Sequence, residues 1–139
     1  MIRPATQHDL QAIYALAGKL ATSFVVTEYG FANSFKKVIE LPHMNLVVAE
    51  VDSAIIGYVL GSYHPCFYAS GNVAWIEEIF VEPEHRGSGL GRDLMTNFEE
   101  WAEDQNCRLV ALATRRAADF YQAINYDETA VCFRKQLNQ

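Results

Sequence analysis

The chain has 139 residues, 50% of them hydrophobic and 20% charged, with a formal net charge of −6. That is the size and composition of one globular domain, expected to span residues 1–139. The acidity argues against a nucleic-acid partner, which would want a basic face, and no apolar run approaches the ~20 residues of a membrane span.

Residues 1–3 read as a short edge strand. Thr6 then caps a helix, with Asp9 completing a capping box and Leu10, Ile13, Ala17, Leu20 and Phe24 on one face. A second helix is expected over 32–41, ended by Pro42. Residues 46–51 and 54–63 pair as a hairpin across Asp52-Ser53. Residues 64–72 read as a loop, and 73–81 as the next strand. Leu90, Leu94, Met95, Phe98, Trp101 and Ala102 form the apolar stripe of a helix over 90–103. A short buried strand over 109–113, a helix over 116–124 and a final strand over 129–134 complete the chain. This order predicts an α/β fold, a mixed sheet with helices on both faces.

The segment Glu82-Pro83-Glu84-His85-Arg86-Gly87-Ser88-Gly89-Leu90-Gly91-Arg92 joins an apolar strand to an amphipathic helix. Its glycines let the backbone approach a ligand and turn its N–H groups one way, at the positive end of the helix dipole. That combination suits phosphate or pyrophosphate. No Walker A string occurs, and the glycines fall at i, i+2 and i+4 rather than in the dinucleotide-binding Gly-x-Gly-x-x-Gly order. The string Arg86-Gly87-Ser88-Gly89-Leu90-Gly91 instead matches [Gln/Arg]-x-x-Gly-x-[Gly/Ala].

That loop resembles the pyrophosphate loop of the GNAT superfamily, the acyl-CoA-dependent N-acetyltransferases. The string Ala117-Ala118-Asp119-Phe120-Tyr121-Gln122-Ala123-Ile124-Asn125-Tyr126 is similar to the family's Ala-x-x-Phe-Tyr-x-x-x-Gly-[Phe/Tyr] segment. The element order resembles the GNAT fold over nearly the whole chain, with a mostly antiparallel central sheet. Asn125 stands where the family has glycine, and Asn tolerates a left-handed cap next best. The stretch Ala113-Thr114-Arg115-Arg116 lacks the Asn that many members place against the pantetheine.

The resemblance implies acetyl-CoA as donor co-substrate. Backbone N–H groups of Gly87, Ser88, Gly89, Leu90, Gly91 and Arg92 would cradle its pyrophosphate. Arg86, Ser88 and Arg92 are candidates for added side-chain contacts, the arginines reading equally well as solvated charges. Ile79, Phe80 and Val81 would pair with the pantetheine like an added strand, with a backbone N–H near Val81 as oxyanion donor. Tyr121 matches the tyrosine that protonates the departing thiolate. Glu77 and Glu78 are unusual in an apolar strand, and strand alternation points them to opposite faces. The string Trp75-Ile76-Glu77-Glu78-Ile79-Phe80-Val81 is similar to a strand of the spermidine/spermine acetyltransferases, where an acid pair lines the amine site. That implies Glu77 as base and Glu78 as its amine-binding partner. The first two helices and the 64–72 loop are expected to wall the site, with Tyr29, Phe31, Tyr63, His64, Phe67 and Tyr68 as candidates.

The leading expectation is direct acetyl transfer to a small-molecule or peptide amine in a ternary complex. The alternative is a non-catalytic GNAT-fold acyl-CoA sensor or interaction module. The four histidines show no metal-ligand spacing, so no metal is expected. Cys66, Cys107 and Cys132 read as reduced core-filling thiols, and Met1-Ile2-Arg3-Pro4 begins without a signal-peptide apolar region; both suit a cytoplasmic protein. Homodimers are common among the proteins it resembles, which makes a homodimer a candidate assembly.

Overall fold

The computed structural model describes residues 1–137. A short strand β1 (Ile2–Pro4) leads through a 3-10 turn (Gln7–Asp9) into α1 (Leu10–Leu20) and α2 (Glu28–Glu40). Three strands follow, β2 (Met44–Val51), β3 (Ala54–Cys66) and β4 (Gly71–Val81). Then come a second 3-10 turn (Pro83–His85), α3 (Leu90–Asp104), β5 (Cys107–Leu112) and α4 (Ala118–Ala123). The sheet has the order β1-β2-β3-β4-β5, antiparallel except for the parallel β4–β5 pair.

Two cores lie on opposite faces of this sheet. Leu94, Met95, Phe98 and Ala102 of α3 pack with Val59, Ala74 and Ile76 on one face. Ile13, Leu16 and Phe35 of α1 and α2 pack with Val48, Tyr58 and Phe80 on the other. The α3 stripe expected from the sequence is therefore the centre of its core. Thr6 and Asp9 do form a capping box, and Asp9, the buried acid, is held by Arg3 at 2.8 Å. Hydrogen bonding to that guanidinium holds the Asp9 carboxyl below its usual range, against the opposing effect of burial. Asp52 and Ser53 make the expected turn with positive φ at both positions.

Several elements differ from the sequence expectations. α2 starts at Glu28 because Thr27 accepts from the Gly30 N–H and caps it. α1 ends at Leu20, which leaves Phe24 outside the helix and exposed. β3 and β4 run on as a paired ribbon through His64, Pro65 and Asn72, so the expected 64–72 loop shrinks to the turn 67–70. Among the described residues, 129–134 pair with no strand, and the chain from Asp127 to Leu137 is exposed and without regular structure; β5 itself is half-buried rather than buried, with Arg108 and Leu109 exposed. Of the cysteines only Cys107, half-buried, packs against a core; Cys66 is half-buried away from both and Cys132 is exposed, all as free thiols.

Candidate active site

The site begins where β4 loses a neighbour. β4 pairs with β5 only as far as Ile76↔Leu112, while its pairing with β3 continues to Val81↔Gly57. The β5 side of residues 77–81 is therefore open. The Glu82 N–H bonds the Ile56 carbonyl on the β3 side, so its neighbour Val81 presents its own peptide groups to the opening. Alternation gives Ile79 the same direction. Phe80 turns its carbonyl the other way, close to Gly57 of β3. Of the three strand residues expected against the pantetheine, Ile79 thus turns both peptide groups to the opening and Val81 its N–H, its carbonyl being taken by Arg86, while Phe80 turns away.

The acid pair departs from simple alternation. The β3–β4 register shifts between Leu60 and Gly61, whose partners are Glu78 and Ile76, so Glu77 is an extra residue in a bulge. Side chains facing the α3 core change from even positions, Ala74 and Ile76, to odd ones, Ile79 and Val81. Glu77 and Glu78 consequently point to the same face, not to opposite ones as expected. Both line a cavity of about 770 Å³ against α1, α2 and their connection. Glu78 accepts a hydrogen bond from the buried Tyr58 hydroxyl at 2.6 Å. The Glu77 carboxyl has no partner among the described residues. Glu77 is exposed towards the open cavity, and partial desolvation there, then the neighbouring Glu78 charge, raise its pKa above the usual carboxylate value.

Of the expected wall residues, Phe31 lines the cavity, with Leu20, Phe24 and Val38. Tyr29 and His64 are exposed and outside the lining, Tyr63 packs at a tilt on Trp101 on the opposite face, and Phe67 and Tyr68 project into solvent at the hairpin tip. Tyr58, Ser23 and Arg134 belong to the cavity's polar groups and were not anticipated. No periodicity marks them: Tyr58 reads as core, and Arg134 as part of a strand.

On the other side of the opening lies the glycine loop. Gly87 and Gly89 have φ of 83° and 90°, which L side chains rarely adopt. The loop so formed feeds α3 through Gly89 at its N-cap. Among the described residues, the amides of 87–92 make no backbone bond outside the helix, and those of the first helical turn have no acceptor within it. Leu90 and Gly91 open α3, with Gly91 against Phe120 of α4. The Ser88 hydroxyl donates to the His85 carbonyl within the loop. Arg86 folds back: its Nε donates to the Val81 carbonyl at 2.8 Å and its guanidinium lies over the Phe80 ring. Arg92 is exposed beside a small cleft between α3 and α4. Lys19 of α1 grips both oxygens of Glu82, tying that helix to the start of the loop.

Tyr121 is 8% exposed and shares the α3 core with Val81. Its hydroxyl makes no hydrogen bond among the described residues. Burial raises its pKa, so the phenol stays protonated through neutral pH. Phe120 and Tyr126 pack edge-on against its ring. Asn125 takes the expected left-handed conformation, φ 74°, just past α4. Among the described residues no helix is long and apolar enough to cross a membrane.

Residues 10–126 match the profile of the acetyltransferase (GNAT) family. Thialysine N-ε-acetyltransferase of Bos taurus is 30% identical, over 96% of this chain and 91% of that protein. Aminoglycoside N(6')-acetyltransferase type 1 of Salmonella typhimurium is 24% identical, over 73% of this chain and 76% of that protein. The solved structure of AAC(6')-Iy bound to a bisubstrate analogue, CoA-S-monomethyl-acetylneamine, superposes with a TM-score of 0.84 at 22% identity, covering 99% of this chain and 98% of that one. The fold agrees with these likenesses, and the chain belongs to the acetyltransferase (GNAT) family as an N-acetyltransferase.

Proposed function

We propose that this protein transfers an acetyl group from acetyl-CoA directly to a primary amine held in the Glu77–Glu78 cavity. The observation that carries this reading is the opening of the sheet beside residues 77–81, with the acid cavity on one face and the loop of unpartnered amides at its end. The pyrophosphate would lie on the amides of 87–92, and the pantetheine along the peptide groups of Ile79 and Val81. Arg86 serves the site by its brace to Val81, and Ser88 and Arg92 flank the cradle.

An amine arrives protonated at neutral pH and must lose its proton to become a nucleophile. Glu77, with its raised pKa and unpartnered carboxyl, is suited to accept that proton, directly or through water. Glu78, fixed by Tyr58, supplies the negative charge that holds the ammonium beforehand. Attack forms the C–N bond and places charge on the thioester oxygen, where the Val81 N–H can donate. Collapse breaks the C–S bond, the Tyr121 phenol gives its proton to the thiolate, and the surplus proton on the new amide nitrogen leaves through water and restores the phenol. The exposed apolar Val131, Phe133 and Leu137 of the tail, with the unpaired outer edge of β5, support a homodimer.

Replacing Tyr121 by Phe removes the proposed acid and no hydrogen bond among the described residues. Amine-dependent thiol release should fall about a hundredfold, with acetyl-CoA affinity retained in a calorimetric titration. Turnover equal to the unsubstituted enzyme across the pH range would remove Tyr121 from the reaction. Failure of acetyl-CoA to bind at all would overturn the donor assignment.

A further inference from the structure

The acceptor cavity holds charge of both signs. Besides Glu77 and Glu78 it is lined by Arg134, the one cationic residue among its described lining. Arg134 comes from the chain that follows α4, and its Nη2 donates to Ser23 Oγ at 2.6 Å, in the α1–α2 connection. Among the described residues no carboxylate lies within ion-pair reach of it. One of its five donors is thus used and the rest face the cavity or solvent. The rest of the lining is largely apolar, with Ile13, Ala17, Leu20, Phe31, Val38 and Leu60.

We propose that the acceptor is a lysine-like amino acid, an amine joined through an apolar spacer to a carboxylate, and that Arg134, steadied by Ser23, binds that carboxylate. This rests on the acetyltransferase reading of the same cavity. A guanidinium fork matches a carboxylate with two parallel hydrogen bonds. The same group repels a second ammonium, so it selects against plain diamines that the acid pair alone would welcome. The spacer fits the apolar walls, where a hydrated polar chain would lose hydrogen bonds.

The test compares L-lysine, thialysine and 6-aminohexanoate with 1,5-diaminopentane, which is lysine without its carboxylate, by thiol release from acetyl-CoA. The three carboxylate-bearing amines should show KM about tenfold below the diamine, the scale of a charge-assisted hydrogen bond. Arg134→Gln should collapse that ratio towards one by raising KM for the carboxylate-bearing amines more than it lowers kcat. Arg134→Glu should invert it in favour of the diamine. Arg134 is exposed, so both variants should fold. Equal KM values in the unsubstituted enzyme, or a ratio that survives Arg134→Gln, would overturn the inference and leave acetyl transfer standing. If none of the amines releases thiol, calorimetry with 6-aminohexanoate decides. Binding that is lost in Arg134→Gln supports the carboxylate site and absent binding overturns it, while acetyl-CoA titrated alongside shows whether the donor site has failed too.

Discussion

From Asn72 to Ile76, β4 is bonded to β3 on one side and β5 on the other; from Glu77 to Val81 only β3 remains. Both halves are rich in apolar side chains, and both contribute to the cores. The first half spends its peptide groups on neighbours and gives rigidity. The second leaves the peptide groups of Ile79 and Val81 facing an opening, with the Val81 carbonyl braced by Arg86. A bulge at the junction turns two carboxylates to one face. Unpaired backbone inside a fold is unfavourable unless something bonds it, so in the proposed reading the second half takes an extended polar ligand and the first does not.

The largest expected effect falls on the second half alone. Glu77→Gln should lower kcat/KM about a thousandfold, within the range for general-base catalysis, and leave stability little changed. Because partial desolvation and Glu78 raise the Glu77 pKa, the group is protonated at low pH and becomes a base only as pH rises through that raised value. The acid limb of the kcat/KM profile should therefore lie above the ordinary glutamate range and vanish in Glu77→Gln. A limb that persists in the variant would assign it to another group.

A change at the junction should instead damage the fold. A Cβ on Gly61 would stand 2.4 Å from Phe98 Cε2 and 2.6 Å from the Trp75 carbonyl. Gly61→Ala should cost about 3 kcal/mol by urea denaturation. A loss under about 0.5 kcal/mol would show that the α3 packing yields more easily than these contacts imply. The smallest effect concerns the support of the acid pair. Tyr58→Phe removes the 2.6 Å bond to Glu78 and should cost about 1.5 kcal/mol in the same measurement. An unchanged midpoint would mean that water replaces the hydroxyl without loss.

The sequence carried much of this arrangement. The α3 stripe and the glycine loop are local patterns, and both lie where 3.6-residue periodicity and turn chemistry place them. Asn125 could be read because only the φ at one residue was at stake. The bulge could not. Alternation in β4 sends Glu77 and Glu78 apart, and the register shift depends on how β3 passes Phe98, a residue from a later helix. Pro65 and the small residues around it look like a loop, but Pro65 tolerates the end of a ribbon where fewer ladder bonds are needed. Residues 129–134 have strand composition without a strand partner among the described residues, and composition does not say where a partner lies. Arg134 enters the cavity for the same reason, through a long-range contact with Ser23 that no spacing announces.

The loop at the head of α3 has a kinetic consequence. Its amides, in the reading above, grip the pyrophosphate, which is the same before and after the acetyl group departs. That grip lowers donor and spent carrier alike and so adds nothing to the chemical step itself. Free CoA should leave only as readily as acetyl-CoA would. In that reading the enzyme's pace answers to the ratio of charged to discharged carrier around it, so acetyl supply would set its rate as much as the amine does.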